Sequence, residues 1–393
     1  MRPLEELPWM RADAFPVRDT AGTYGYRKWG RLRTCSKDRL ASLVERWAIM
    51  NDRMVWTPDS PLLKSVFEID FLQDAALLRG RMYERRWFWF NLIFLLLQLW
   101  FLLQDFGKGD LKEIVSDLLG TAFFCYVTLV SRYSYLETFR PPKFFYPARS
   151  ARARFWSWML NKSSPWLWGG AAALVAIFCL QALLDAGSLD IFPPSARALG
   201  FSKPLVRNEG EWWRIATGPL LHGSLPHLIG NLAGWVILCR LLEPLAASWS
   251  IALVSLLSAF LGGVFSILSD PFDLSVGFSG AISGLTAFTV CLWLRRRRVL
   301  PTLGLIAFVF CVASSLVSDW VSRESVDYGA HAAGFATGWF LGMLLIDSRT
   351  QEIPIREKPW GVALGKICAV LLVADAAYVI GTLLRLISWP TLI

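Results

Sequence analysis

Long apolar stretches constrain this chain more than any other feature of its sequence. Four of the clearest are residues 87–103, 166–184, 251–268 and 361–386. Each is a predominantly apolar run of roughly the 17 or more residues that an α-helix needs to cross the hydrocarbon core of a bilayer. Because no water is available there, every backbone amide needs an internal partner, and a helix supplies one. The pattern therefore predicts an all-α polytopic membrane protein.

The composition supports this class and argues against others. Apolar residues make up 54% of the chain and charged residues 18%, below the roughly 25% usual in soluble domains. The net charge of +9 is not gathered on one soluble module, which speaks against nucleic acid as a partner. Six of the seven cysteines lie in apolar stretches and none forms a Cys-x-x-Cys pair, so we expect neither disulfides nor a metal site from them.

Charge and chain breaks divide the sequence into three parts. Residues 1–86 mix charges of both signs and carry no catalytic motif, so we expect a cytosolic, partly helical region there. Residues 87–162 contain two spans and then a basic connector, whose aromatic side chains we expect along the lipid headgroups. Residues 163–393 hold the remaining spans and form the third part. The expected total is about nine spans.

Two amphipathic helices are expected inside the N-terminal region. Residues 36–50 have apolar side chains at helical spacing, and residues 63–86 follow two prolines and continue to the first span. The apolar face of the first helix consists of Leu40, Leu43, Val44 and Trp47.

The positions of the basic residues predict the orientation in the membrane. The connector that ends at residue 162, the run Arg295-Arg296-Arg297-Arg298 and the loop 347–360 are rich in Lys and Arg. With a cytoplasmic N-terminus all three fall on the cytoplasmic side, in agreement with the positive-inside rule. The first residues have no apolar core, so we expect no cleaved signal peptide and a multi-pass protein of the cell inner membrane.

A serine between glycines and a distant histidine suggest nucleophilic catalysis. Ser279 lies in Gly277-Phe278-Ser279-Gly280, and His331 begins a later span; both fall at the outer side in the predicted topology. A serine hydroxyl needs a base to take its proton, and histidine is the usual base. Gly280 on one helix and Gly334 and Gly338 on the other allow the close approach that would bring the two side chains together.

Acyl transfer also needs donors for the developing oxyanion. The Ser279 backbone amide, near a helix start, is one candidate. Asn231 follows His227 by four residues, so both lie on one helix face and are candidates for the others.

These motifs resemble those of the rhomboid family of intramembrane serine proteases. The resemblance covers about residues 163–393 and includes the Gly-x-Ser-Gly motif at Ser279, the Ala-His-x-x-Gly-x-x-x-Gly motif from Ala330 to Gly338, and the His-x-x-x-Asn motif at His227. Further similarities are His222 five residues before His227, the pair Trp213-Arg214 in the first outer loop, and Glu243 as the acidic partner of that arginine.

The resemblance implies a rhomboid-like six-helix bundle plus one C-terminal span, with two extra N-terminal spans. It implies a Ser279–His331 dyad without cofactor or metal, and an oxyanion site formed by Asn231, His227 and the Ser279 amide. The partners would be transmembrane protein substrates, cut near their outer ends, and the lipid bilayer. One position departs from the family pattern: Ser283 stands where many members have an aromatic residue that packs on the histidine.

Two other readings stay open on sequence alone. His222, His227 and His331 together have the residue type of a zinc site, although the five-residue gap does not place the first two on one helix face. Alternatively, Ser283 is compatible with a catalytically inactive rhomboid-like protein that binds membrane-protein clients. Asp327, four residues before His331, is expected to be a solvated loop acid and not a third member of a triad.

Overall fold

The computed structural model of the chain has two compact units that meet in the sequence at Lys162 and Ser163. Most of the described residues are helical. The structure describes residues 7–389 apart from residues 12–13, 16–21, 29–30, 47–53, 61, 110, 187–192, 247, 270–272, 301–326, 351 and 357.

The N-terminal unit contains a small antiparallel sheet, so the all-α prediction is wrong for this part of the chain. The strand Tyr24–Lys28 pairs with Arg31–Cys35 on one side and with Met54–Trp56 on the other, and Lys64–Ser65 pairs with Met54–Trp56. These strands share the apolar core with the first helix of the chain. Alternating short apolar runs separated by turns fold this way, and helical spacing alone did not reveal them. The strands are β1 (Tyr24–Lys28), β2 (Arg31–Cys35), β3 (Met54–Trp56) and β4 (Lys64–Ser65).

The first predicted amphipathic helix is present and shorter than expected. Helix α1 is Lys37–Glu45, and the Ser36 side chain caps its N-terminus by accepting a hydrogen bond from the Arg39 amide. Leu40 and Val44 are fully buried against the sheet. Trp47 lies outside the described residues.

A single long helix crosses the boundary that was expected between residues 86 and 87. The predicted helix 63–86 instead begins as strand β4 and a 3₁₀ turn, and α2 (Asp70–Lys108) then runs through the first predicted span. Helix α3 (Leu111–Glu137) contains the second predicted span. Polar pairs join the two helices: Asn91 donates to the Ser131 hydroxyl at 2.8 Å, and Gln98 donates to the Asp117 carboxylate at 2.9 Å.

Part of the basic connector packs on protein, which corrects the expectation of a headgroup position for three of its aromatic residues. It forms α4 (Pro142–Leu160), whose Phe145, Phe155 and Trp158 are buried. Two of its arginines bind acids of the same unit, Arg154 to Glu68 at 2.7 Å and Arg149 to Glu84 at 2.9 Å. Glu68 lies just before α2 and Glu84 lies within it, so these two arginines neutralise carboxylates of the protein.

The second unit is a helical bundle with a short two-stranded sheet, β5 (Phe201–Ser202) paired with β6 (Leu274–Ser275). The helix that begins at Ser279 is enclosed by the helices that begin at Leu225, Ser248 and Tyr328. The helices are α5 (Pro165–Leu184), α6 (Pro194–Leu199), α7 (Lys203–Glu209), α8 (Arg214–Thr217), α9 (Leu225–Leu245), α10 (Ser248–Ser269), α11 (Ser279–Arg295), α12 (Tyr328–Leu345) and α13 (Pro359–Ser388).

Five helices in the described part of the chain are long and apolar enough to cross a membrane: α2, α5, α9, α10 and α13. The protein is a multi-pass membrane protein. All but the first residue of the predicted span 300–317 lies outside the described residues, and the arrangement of about nine spans stays a prediction.

Candidate active site

Ser279 and His331 lie side by side, although 52 residues separate them in the sequence. Ser279 is the first residue of α11, and His331 is in the first turn of α12. The Ser279 Oγ is 2.5 Å from the His331 Nε2. If the serine donates this hydrogen bond, the ring proton is on Nδ1, and Nε2 is the acceptor.

Glycines bring the helices of these two residues into backbone contact. A Cβ at Gly334 would collide with the Gly280 carbonyl oxygen, and a Cβ at Gly338 would collide with the Gly284 carbonyl. Small residues allow such close packing in membrane helices, where dispersion contacts hold neighbouring helices together. The close approach at Gly334 lies one turn after His331, so it sets the separation of the two side chains.

The turn before Ser279 requires a glycine. Gly277 has a φ of +121°, a conformation that residues with a Cβ rarely adopt. A Cβ there would also lie 2.5 Å from the Cε1 of His227 and 2.6 Å from its Nε2. The backbone at Gly277 is therefore in direct contact with the His227 imidazole, two residues before Ser279.

The start of α9 brings His227 and Asn231 to the same end of the bundle. The Ser224 hydroxyl caps the helix by accepting the His227 amide at 3.3 Å. Asn231 is buried one turn later, and its side-chain amide donates to the His227 carbonyl at 3.2 Å. An amide that already donates to backbone has one N–H left for a ligand.

His222 is buried behind His227, with the two ring centroids 5.2 Å apart. Its backbone amide donates to the Gln181 side chain at 3.0 Å. Neither ring nitrogen forms a hydrogen bond of good geometry within the described residues. Burial, with a smaller contribution from the His227 charge, lowers the pKa of His222 to about 4 against a weak opposing effect of the Leu220 carbonyl.

Asp327 is largely buried, so the expectation of a solvated loop acid is wrong. It is the N-cap of α12, where its Oδ1 accepts the Ala330 amide at 3.0 Å. Its Oδ2 accepts hydrogen bonds from the hydroxyls of Ser266 and Ser275 and lies 3.7 Å from the Lys203 Nζ. The carboxylate therefore does not act as a triad acid, because both of its oxygens bind groups other than the His331 ring.

Comparison with known proteins gives the family of this site. Residues 209–348 match the family model of the rhomboid domain. The part of the chain that forms the site belongs to the rhomboid family. The resemblance drawn from the motifs is thereby confirmed.

Relatives from several kingdoms match parts of the chain. "RHOMBOID-like protein 6, mitochondrial" of Arabidopsis thaliana is 32% identical over 151 residues, which are 38% of this chain and 48% of the relative. "Rhomboid protease GlpG" of Klebsiella pneumoniae is 29% identical over 210 residues, 51% of this chain and 69% of the relative. "Rhomboid-like protease 3" of Toxoplasma gondii is 24% identical over 226 residues, which are 56% of this chain and 81% of the relative. The chain spans about half the length of the plant relatives it matches, 48% to 50%.

The pairing expected between Arg214 and Glu243 in the rhomboid domain is wrong. Arg214 binds the Glu211 carboxylate and donates to the carbonyls of residues 197 and 200 at 3.0 Å, with Trp213 against its guanidinium. Glu243 accepts the Leu167 amide at 2.8 Å, at the start of α5. Because α9 rises about 1.5 Å per residue, Glu243 lies near the opposite end of the bundle from His227.

A small cavity of about 40 Å³ opens beside Ser279. Its wall consists mainly of glycine, alanine and serine. Members of this wall are Phe201, Gly218, Ser275, Gly280, Asp327 and Ala330.

The three histidines do not assemble as a metal site. His331 is engaged by Ser279, while His222 and His227 contact each other. No group of three or more His, Cys, Asp or Glu residues with metal-binding geometry occurs among the described residues.

The sequence reasoning missed Lys203, Ser266 and Ser275, which surround Asp327. Each lies in a different segment, and none belongs to a motif. The signal that was available is the position of Asp327 directly before a helix, because Asp is a preferred N-cap residue.

Proposed function

We propose that this rhomboid-family chain is an intramembrane serine endopeptidase that cleaves transmembrane segments of membrane proteins near their outer ends. The observation that carries the proposal is the 2.5 Å separation of the Ser279 Oγ and the His331 Nε2. This is the distance at which a base takes a hydroxyl proton. The relatives from Klebsiella pneumoniae and Toxoplasma gondii are named as proteases, which supports the same reaction class.

In this mechanism Ser279 is the nucleophile and His331 the general base. The serine proton moves to the His331 Nε2 while the Oγ forms a bond to the substrate carbonyl carbon. The resulting imidazolium then gives this proton to the nitrogen of the leaving peptide as the C–N bond breaks. A water molecule repeats the sequence on the acyl-enzyme and releases the second product.

The oxyanion of each tetrahedral intermediate needs donors at one place. The Ser279 amide belongs to the first turn of α11, whose amides have no acceptor within the helix. The free Asn231 N–H and the His227 ring are candidates for the other donors, since both lie at the start of α9 and the His227 ring contacts Gly277. Loss of one such donor typically lowers kcat by about 10²- to 10³-fold.

The position of the site supports the proposed substrate class. Ser279, His331 and His227 all stand in the first turns of helices that lie among apolar, membrane-length elements. A peptide bond that reaches this depth belongs to a membrane-embedded segment. The cavity of about 40 Å³ beside the nucleophile favours substrates with small residues at the cut site, because larger side chains would not fit in it.

A cleavage assay on the detergent-solubilised full chain tests the proposal. The reporter is a transmembrane segment with small and helix-breaking residues near its outer end, and fluorophosphonate labelling is measured on the same samples. Cleavage and labelling by the wild type, both absent in Ser279→Ala and reduced by about 10³-fold or more in His331→Ala, are expected. Ser283→Ala is the matched control, one turn later on α11, and should keep both activities.

The alternative is a rhomboid-like protein that binds membrane clients without cutting them. Ser283, half-buried on the same helix as Ser279, is the observation in its favour, because it supplies no ring to hold the imidazole. Absence of both cleavage and labelling in a well-folded wild type, with the reporter still bound, would support it and overturn the proposal. Cleavage that persists in Ser279→Ala and is lost on metal chelation would support a metal-dependent reaction.

A further inference from the structure

One carboxylate joins the segments that carry the two catalytic side chains. The Asp327 Oδ1 accepts the amide of Ala330, the residue directly before His331. The Oδ2 accepts the hydroxyl of Ser275 at 2.6 Å, four residues before Ser279. A second hydroxyl on the same oxygen comes from Ser266 of α10.

The charge of this group is compensated within the fold. The Lys203 Nζ lies 3.7 Å from the Oδ2, and the exposed fractions of the two side chains are 1% for Lys203 and 13% for Asp327. A buried charge is strongly unfavourable unless it is paired and hydrogen-bonded. Burial alone would raise the pKa of Asp327, but the hydrogen bonds from Ser266, Ser275 and Ala330, together with Lys203, lower it below its ordinary value. The carboxylate is therefore ionised at neutral pH.

We propose that Asp327 is a positioning residue for the Ser279–His331 dyad: it fixes the strand that leads to Ser279 against the start of the helix that carries His331. The proposal rests on the proposed protease function. Asp327 does not act on the substrate in this role and does not orient the imidazole as a triad acid would. It acts through the backbone, by holding β6 and the first turn of α12 at one separation.

The geometry makes this separation sensitive to a single group. From Ser275 the chain reaches Ser279 through the constrained turn at Gly277, and Ala330 is one residue from His331. A shift of either segment therefore moves a catalytic side chain almost directly. Misplacement of reacting groups by about 1 Å lowers rates by about 100-fold.

The substitution Asp327→Asn is the sharpest test. It keeps the size of the side chain and an oxygen for the Ala330 amide, but it removes the acceptor for two hydroxyls and the charge opposite Lys203. We expect the second-order rate constant of fluorophosphonate labelling, and kcat on the reporter, to fall about 10- to 100-fold with little change in KM. The double variant Asp327→Asn with Lys203→Met should recover part of the rate, because it removes both charges of the buried pair together.

The rate constant separates positioning from stability. A purely structural role would lower the fraction of folded protein, and thus the final extent of labelling, while molecules that remain folded would label at the wild-type rate. Ser275→Ala leaves the carboxylate and Lys203 in place, so it keeps the test available if Asp327→Asn does not fold. We expect it to lower the labelling rate as well, by less than Asp327→Asn does.

The outcomes distinguish this inference from the proposed function. An unlabelled, well-folded wild type would overturn the protease proposal itself. A labelled wild type with unchanged rate constants in Asp327→Asn and Ser275→Ala would overturn only the positioning role. A rise in KM or a changed preference at the cut site, with kcat unchanged, would also overturn it and make Asp327 a specificity residue of the cavity.

Discussion

At the scale of single residues, Gly277 is constrained both by its backbone conformation and by the neighbouring His227 ring. Gly277→Ala would place a side chain at a φ of +121° and against the His227 ring. We expect a loss of about 1–3 kcal/mol in the free energy of unfolding and at least a 10-fold lower labelling rate. Thermal unfolding and fluorophosphonate labelling measure the two effects.

The matched control for this change is Gly210→Ala. Gly210 also has a positive φ, +71°, but open space surrounds the position of its Cβ. Equal losses of labelling in both variants would show that backbone strain alone, and not the contact with His227, explains the effect.

His222 gives the folded protein an acid sensitivity. Its pKa of about 4 in the folded state lies below its ordinary 6.5, so the unfolded chain binds a proton at higher pH than the folded one. The contribution of His222 to the free energy of unfolding should therefore fall by about 3 kcal/mol as the pH drops from about 6.5 to about 4, and level off below that. Thermal unfolding of the wild type at pH 7 and pH 4.5 measures this loss.

The variant His222→Phe removes the titrating group and fills the same buried site. We expect a smaller difference in unfolding temperature between the two pH values, since the neighbouring His227 is then the nearest titrating ring. An undiminished difference would assign the acid sensitivity to other groups.

Sequence reasoning at this scale depended on motifs. Ser279 and His331 stand out because each sits in a pattern of small residues, and the structure brings them together. Lys203 and Asp327 could not be paired in advance, since 124 residues separate them and neither position follows a periodic pattern. The pairing of Arg214 with Glu243 failed because a motif does not tell which end of a helix a residue reaches.

At the scale of elements, the contact between α11 and α12 governs the dyad. Gly338→Ala would force the backbones apart, because the new methyl group would collide with the Gly284 carbonyl. We expect destabilisation by about 1–3 kcal/mol from overpacking and a labelling rate at least 10-fold lower. Unfolding temperature and labelling rate are the measurements.

Gly169→Ala on α5 provides the comparison for this prediction. No atom lies within 4 Å of the position that its Cβ would occupy. Alanine is about 1 kcal/mol more favourable than glycine inside a helix, so this variant should be neutral or more stable and fully active. A similar loss in both variants would contradict the packing explanation.

The sequence predicted the long helices well, because the length of an apolar run is enough to indicate them. It predicted the short strands poorly, because a few residues are compatible with either a strand or a helix. The long helices α5 and α10 follow the predicted spans closely. The strands around Tyr26 and Val55 escaped notice because segments of three to five residues carry little periodic signal. The boundary expected between residues 86 and 87 does not exist, since helix α2 runs through both positions without a residue that stops it.

At the scale of the whole molecule, ion pairs between residues of the N-terminal unit help to hold that unit together. The Glu68 carboxylate binds Arg154 through two bonds of 2.7 Å and also accepts the Ser150 hydroxyl. Glu68→Gln should lower the stability of this unit by about 1.5–3 kcal/mol, because the hydrogen bonds to a charged group are lost. Limited proteolysis of the full chain measures this, and the labelling rate of Ser279 should not change.

Asp59→Asn is the control within the same unit. Asp59 is 74% exposed and lies 3.8 Å from Lys64, and exposed pairs of this kind contribute roughly 0–1 kcal/mol. Proteolysis as fast in Asp59→Asn as in Glu68→Gln would show that the partly buried network around Glu68 has no special weight.

The sequence by itself determined the membrane class, the long helices and the residues of the candidate dyad. These follow from local facts: the length of apolar runs, the small residues around Ser279 and the spacing of the histidine motif. The tertiary structure decided what depends on distant segments, namely the N-terminal sheet, the partners of Arg214 and Glu243, and the burial of Asp327 with Lys203. Burial and pairing are properties of surroundings that the chain supplies only after it has folded, so no local pattern encodes them.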